Sequence, residues 1–289
     1  MRLRSLLFVP GDRPDRMAKA LESGADALIL DLEDAVAPGK KGEARKEVAE
    51  FLSRPRTMPL FVRINPLGRI ADEDLAAIVP RRPDGLVLPK AEGGASVVEL
   101  DRRLAAMGDT ATRILPIATE TPAAIFALGS FRNVTPRLCG LTWGAEDLPA
   151  AIGAAGSREA DGRYTAPYEM VRALALFAAH AAEVPAIETI FPMLKDEAGL
   201  KTYAARGRRD GFSGMLAIHP AQVPTIHAAF TPAKNEIAWA RRVVEAFAAS
   251  PDRGAIEMDG RMLDAPHLKQ ARRILAPEVD AAGPAKPGI

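Results

Sequence analysis

Cysteine is almost absent from this sequence. Cys139 is the only one in 289 residues, so no internal disulfide can form, which suits a reducing compartment. Charge of one sign is missing too. Thirty-eight Lys and Arg face 37 Asp and Glu for a formal net charge of +1, giving no sign of a nucleic-acid binder. No apolar run approaches the length that spans a bilayer. The basic-then-apolar start MRLRSLLFVPGD is too short in its apolar part for a secretory signal. A cytoplasmic protein without nucleic-acid or membrane partners is expected. No glycine-rich dinucleotide fingerprint follows the first apolar run, which weighs against an open doubly wound sheet.

What is present is a regular alternation. Apolar runs at 5–9, 27–32, 60–64, 85–88, 114–119, 138–143, 186–191 and 215–218 read as strands. Segments with helical spacing at 15–23, 43–52, 71–79, 95–107, 122–128, 167–182, 197–207 and 221–229 follow them in turn. The runs are apolar throughout, as parallel strands covered on both faces should be. Eight β-then-α units within 230 residues predict an α/β fold, a (β/α)₈ TIM barrel. The doubly wound sheet is its structural alternative.

Barrel chemistry gathers where strands end. The exits here carry Asp12 and Arg13, Glu33 and Asp34, Arg63 and Asn65, Lys90, Glu120, Glu146 and Asp147, and His219. Residues 113–147 organise the rest, because two runs in that stretch would bring Glu120 and Asp147 into one small space. Crowded carboxylates repel unless a cation joins them. Two hard oxygen donors with few histidines suit Mg²⁺ better than zinc. Solvated loop carboxylates or helix caps are the plainer reading of the same acids. Asp31, Glu33 and Asp34 add negative charge and could hold metal-bound water. Arg63 is fit to grip a carboxylate or stabilise an oxyanion, or else to pair with one of those acids. Lys90 reads as a structural partner of the acids.

Several segments carry a resemblance: RSLLFVPGDRPDRMAKA, ALILDLEDAVAPGKK, FVRINPLG, GLVLPKAE, LTWGAEDL and LAIHPAQV. In order and over almost the whole chain, they resemble the HpcH/HpaI aldolase and citrate lyase family. Within it they are similar to the citrate lyase beta-subunit-like acyl-CoA lyases, relatives of malyl-CoA and citramalyl-CoA lyases. That likeness implies a (β/α)₈ barrel, Mg²⁺ and reversible carbon–carbon cleavage of a hydroxyacyl-CoA bearing a carboxylate. The products would be acetyl-CoA or a related acyl-CoA and a 2-oxo acid. By motif, Glu120 and Asp147 match the metal ligands. Phe8, Arg13, Lys19 and Arg63 match contacts to CoA or the acyl group, Ile218 and His219 match a substrate-contacting pair, and Glu146 joins the substrate-binding set.

The tail, from residue 231, would begin a helix reaching 248. A connector and MDGRMLDAPHLKQARRIL follow, read as an amphipathic helix after a turn. The resemblance implies that residues 231–289 form a lid over a neighbouring subunit's site while 1–230 form the barrel. It also implies that Asp264 is the catalytic acid/base, alongside Arg63 at the enolate; a helix cap is the structural alternative for Asp264. A lid acting in trans requires an oligomer, and the likeness suggests a homotrimer or hexamer. Two departures bear on the acyl group. The seventh run, AIETIFPMLKD, has Glu188 where many relatives have Asp, and NPLGRIADEDL lacks the aromatic residue of true malyl-CoA lyases. A malyl-CoA-type thioesterase and a carrier-dependent citrate lyase beta-type subunit remain alternatives.

Overall fold

The computed structural model describes the backbone of residues 3–282 and the side chains of 3–276, so residues 1–2 and 283–289 of the expected segments lie outside the described residues. The chain falls into two compact units, one spanning Leu3–Phe230 and a second beginning at Thr231.

In the first unit eight strands alternate with helices: β1 (Ser5–Pro10), α1 (Pro14–Ala20), β2 (Ala27–Asp31), α2 (Lys41–Leu52), β3 (Leu60–Arg63), α3 (Arg69–Ile78), β4 (Gly85–Leu88) and α4 (Gly94–Ala106). The series continues with β5 (Arg113–Pro116), α5 (Pro122–Phe126), β6 (Leu141–Thr142), α6 (Leu148–Ile152), α7 (Ala166–Ala181), β7 (Ala186–Glu188), α8 (Glu197–Asp210), β8 (Gly214–Ala217) and α9 (Val223–Phe230). The strand order is β5-β4-β3-β2-β1-β8-β7-β6, with every pairing parallel. Parallel bridges at Ile114–Leu138 and Ile117–Thr142 join the two ends of that order. The barrel is thereby closed.

Strand period explains why these runs are apolar throughout. Leu6, Ile29, Phe61, Val87, Leu115, Ile187 and Leu216 point inward and fill the barrel. Their neighbours Leu7, Leu28, Leu30, Val62, Leu86, Leu88 and Met215 point outward under the helices. Neither face meets water, so alternation of polar and apolar residues has no place. Each fully buried side chain of this kind contributes about 1.5–3 kcal/mol by burial. The chain past β5 remains extended, its amides bonding first to β4 (Ile117 N to Leu88 O, 2.8 Å) and then to β6 (Ala118 N to Thr142 O, 2.9 Å). Inward-facing Phe8, Asp31 and Arg63 therefore crown the apolar filling at the strand exits.

The second unit contains α10 (Lys234–Ala248), β9 (Ala255–Met258), β10 (Arg261–Asp264) and α11 (Ala265–Ala282). The two strands form an antiparallel hairpin, where a turn into a helix was expected. Asp259 and Gly260 both have positive φ, 55° and 73°, the conformation that a two-residue Asp-Gly hairpin turn demands. Ala240, Val243, Ile256, Leu263 and Ala271 form its small core.

Candidate active site

The exits of β5 and β6 are tied by one side chain. Thr119 donates its hydroxyl to the Gly144 carbonyl and accepts from the Gly144 amide, both at 2.9 Å. Close approach there needs glycine, because a Cβ on Gly144 would stand 2.9 Å from Glu120 Cγ. Glu120 follows Thr119 and is 4% exposed. Its Oε2 accepts the Lys90 amide at 2.6 Å. Lys90 has φ of 50°, a strained conformation for a residue with a side chain, and the turn sends its ammonium back among the acids. Its Nζ lies 2.8 Å from Glu33 Oε1 and 3.7 Å from Asp147 Oδ1.

Across the mouth, Arg63 is clamped by Asp31, with Nε to Oδ1 at 2.7 Å and Nη2 to Oδ2 at 2.6 Å. Asp31 also accepts the amides of Glu33 and Ala35. Arg63 therefore both pairs with an acid, as one sequence alternative held, and remains on the pocket wall, its guanidinium 4.8 Å from the centre of the Phe8 ring. Glu33 Oε2 lies 3.1 Å from Arg63 Nη1 but makes no hydrogen bond.

These exits enclose a cavity of about 300 Å³. Glu120 and Asp147 lie on its lining with Phe8, Arg63, Glu146 and Ile218. Burial pushes the Glu120 carboxyl up to about 8, with Glu33 and Asp147 adding repulsion. Burial also raises Glu33, against the pull of Arg63 and Lys90. Lys90 is held above its usual range, since the Glu33 hydrogen bond and the surrounding carboxylates outweigh its burial. Asp147 occupies the position before α6, yet its side chain caps no helix amide. Its carboxylate remains available to a cation.

No group of three or more candidate metal-ligating side chains occurs among the described residues. Glu120 and Asp147 make a two-carboxylate donor set, and a hard divalent ion that fills its other positions with water or substrate oxygens fits such a set. Crowding of Glu120 by two further acids makes the same point electrostatically.

The remaining predicted residues stand elsewhere. Arg13 is exposed just after β1 and pairs with Asp15, Nη2 to Oδ2 at 3.1 Å; Lys19 is exposed on α1. His219 is exposed, and its Nδ1 accepts the Ala221 amide at 3.2 Å, closing the turn after β8. None of these three lines the cavity. Asp264 ends β10 in the second unit, where its Oδ1 lies 2.6 Å from His267 Nδ1.

Sequence reasoning undervalued Lys90, whose fold-back no residue pattern announces, and passed over Trp143 as part of an apolar run. Trp143 lines the cavity, fully buried. Glu188 was read only as a departure that bears on acyl specificity. It faces outward from the barrel, hydrogen-bonded to Trp143, Tyr203 and Arg172.

Residues 4–220 match the model of the HpcH/HpaI aldolase/citrate lyase family. The chain belongs to that family. Membership makes it an enzyme of the oxo-acid lyase type. Among relatives, a citrate lyase subunit beta-like protein of Mycobacterium tuberculosis is 39% identical over 272 residues, 93% of each chain. A (3S)-malyl-CoA thioesterase of Cereibacter sphaeroides is 33% identical over 94% of this chain and 93% of its own. A crystal structure of CitE from M. tuberculosis, in complex with magnesium, acetoacetate and coenzyme A, superposes with a TM-score of 0.80 at 34% identity, covering 95% of this chain and 97% of that one. Among the described residues, no helix is long and apolar enough to cross a membrane.

Proposed function

We propose that this family member is a Mg²⁺-dependent lyase that divides a carboxylated 3-hydroxyacyl-CoA, of the malyl-, citramalyl- or citryl-CoA type. The products are acetyl-CoA, or a related acyl-CoA, and a 2-oxo acid. The observation that carries this is the meeting of Glu120 and Asp147 on one cavity wall that also presents the clamped Arg63. The magnesium and coenzyme A bound to the M. tuberculosis protein point the same way.

When bound, Mg²⁺ supplies a Lewis acid for the substrate's carboxylate and hydroxyl oxygens. Glu120 and Asp147 hold it. The hydroxyl proton passes to solvent as the carbon–carbon bond breaks, the hydroxyl-bearing carbon becomes the carbonyl of the 2-oxo acid, and the bonding electrons pass to the thioester as an enolate. Arg63 meets the enolate oxygen with a fixed positive charge, and Asp31 holds that charge in place so that no reorganisation is needed during reaction. Asp264, carried by the tail of a neighbouring subunit in a homotrimer or hexamer, gives a proton to the enolate carbon and removes it in the reverse direction. Phe8 packs on apolar parts of the substrate, and Glu146, Ile218 and His219 complete the substrate contacts. Arg13 and Lys19, both exposed, offer cations to the CoA phosphates.

A thioesterase outcome has a specific observation behind it, the malyl-CoA thioesterase relative. On the same residues, water would then attack the thioester carbonyl and break the carbon–sulfur bond, releasing CoA as the thiol and leaving the carbon–carbon bond intact. The test is product analysis of purified protein with Mg²⁺ and each of the three esters, following free thiol and 2-oxo acid. A 2-oxo acid without thiol, abolished by EDTA, supports the lyase. Free CoA with an intact hydroxy acid makes the protein a thioesterase. Cleavage only when the acyl group rides on a carrier protein makes it a beta-type subunit.

A further inference from the structure

Behind the cavity wall lies a buried polar cluster that the proposed reaction does not use. Glu188, the last residue of β7, has no exposure at all. Four hydrogen bonds and one further ion-pair contact converge on its carboxylate. Oε1 accepts from Trp143 Nε1 at 2.6 Å, Tyr203 OH at 2.8 Å and its neighbour's amide, Thr189 N, at 3.0 Å. Oε2 meets Arg172, with Nε at 2.8 Å and Nη2 at 2.7 Å. Arg172 is itself buried and continues to Asp210 at 2.7 Å. One carboxylate thus links β6, β7, α7 and α8.

Two of the four hydrogen-bond donors belong to cavity-lining residues, Trp143 and Thr189. Trp143 leaves β6 on the segment that reaches Asp147, and its indole packs edge-on to Tyr164, ring centres 5.2 Å apart. Apolar packing alone leaves an indole free to slide. A charged acceptor 2.6 Å from its only N–H fixes both its depth and its rotation. Resting on the lyase reading above, we infer that Glu188 is a positioning residue: through Trp143 and Thr189 it sets the wall against which the acyl substituent is sorted. It touches no substrate. Its influence is on which substituent fits, because malyl-, citramalyl- and citryl-CoA differ only at the hydroxyl-bearing carbon, and one methylene in a pocket discriminates about 10–200-fold.

The arrangement explains why length matters at this position. Aspartate would withdraw the acceptor by one methylene and could not meet Trp143 and Arg172 together at these distances. Glutamine preserves length but offers an amide nitrogen toward one set of donors.

Glu188→Asp, Glu188→Gln, Trp143→Phe and Tyr203→Phe are compared with wild type for kcat and KM on the three esters, with melting temperature followed alongside. The chain has two tryptophans, so a Trp239→Phe background assigns the Trp143 indole resonance in a ¹H–¹⁵N spectrum. The expected result is a change of about tenfold or more in the ratio of kcat/KM between esters for Glu188→Asp and Trp143→Phe. The two changes combine less than additively, and the indole resonance moves in Glu188→Asp. Tyr203→Phe, which removes a donor outside the cavity, should lower melting temperature and leave the ratio alone. Trp143→Phe keeps every charged partner, so it tests the same wall if the Glu188 variants fail to fold. An unchanged ester ratio in both Glu188→Asp and Trp143→Phe, with wild type active, overturns the inference alone. A wild type that cleaves none of the esters overturns the lyase reading and this role with it.

Discussion

Glu120 illustrates how a single residue can be costly and useful together. Its carboxyl is buried beside two further acids, so its charge is disfavoured until a cation arrives, and burial raises it to about 8. Glu120→Gln removes that repulsion while keeping shape. In the absence of metal this variant should melt no lower than wild type in calorimetry. The rise in melting temperature that millimolar Mg²⁺ gives the wild type should vanish, since stabilisation by a bound ion follows its affinity. Lys90 is the second such residue. Its positive φ would be a defect anywhere else, yet it turns the amide to Glu120 and the ammonium to Glu33 and Asp147. Its charge offsets the repulsion among the acids.

At the scale of elements, the barrel aligns the strand exits, and small contacts between neighbouring exits set the distances. Gly144→Ala would push its Cβ against Glu120 Cγ. A loss of about 1–3 kcal/mol of stability is expected from such overpacking, with Mg²⁺ affinity falling by at least tenfold in titration calorimetry. At the opposite end of the strands, Arg4 clasps Asp26 through Nε at 2.9 Å, Nη2 at 2.7 Å and its own amide at 2.8 Å. Burial works against the Asp26 charge, but the Arg4 hydrogen bonds outweigh it and hold the carboxyl below its usual 3.8. A depressed folded value means that this contribution is complete above the unfolded value and disappears as pH falls through the folded one. Urea melts at pH 7 should find Asp26→Asn destabilised by about 1–3 kcal/mol, and the gap to wild type should shrink on acidification to about pH 3.

Elements were also the level most legible in the sequence. Strands buried on both faces leave continuous apolar runs, and their exits carry the charges, so the cavity's acids and Arg63 could be named from order alone. Helix α6, Leu148–Ile152, was not foreseen as a helix of its own. The hairpin of the second unit escaped although Asp259-Gly260 announced its turn, since the flanking strands are only four residues each. The outward aim of Glu188 was hidden for a different reason. Adjacent strand residues face opposite ways, and a run that is apolar throughout does not show which face each residue takes.

The whole molecule offers its own test, because the account needs more than one chain. The barrel carries Glu120, Asp147 and Arg63 and the second unit carries Asp264; the proposed reaction assigns that Asp264 to a neighbouring copy. Asp264→Asn should keep the melting temperature and Mg²⁺ binding of wild type and lose at least a thousandfold in turnover. Mixing unfolded and refolded Asp264→Asn with Glu120→Gln chains should restore activity, since a mixed assembly contains sites with one intact barrel and one intact tail. Absence of any restoration would place Asp264 and its barrel in the same chain.

The central claim is fission of a carbon–carbon bond through an enolate that the protein protonates. Running the cleavage of malyl-CoA and citramalyl-CoA in D₂O with Mg²⁺ tests it most directly, with mass analysis of the products at early times. One deuterium in the methyl group of acetyl-CoA per turnover, lost on adding EDTA, is the predicted result. Release of free CoA and an intact hydroxy acid without carbon-bound deuterium would contradict it.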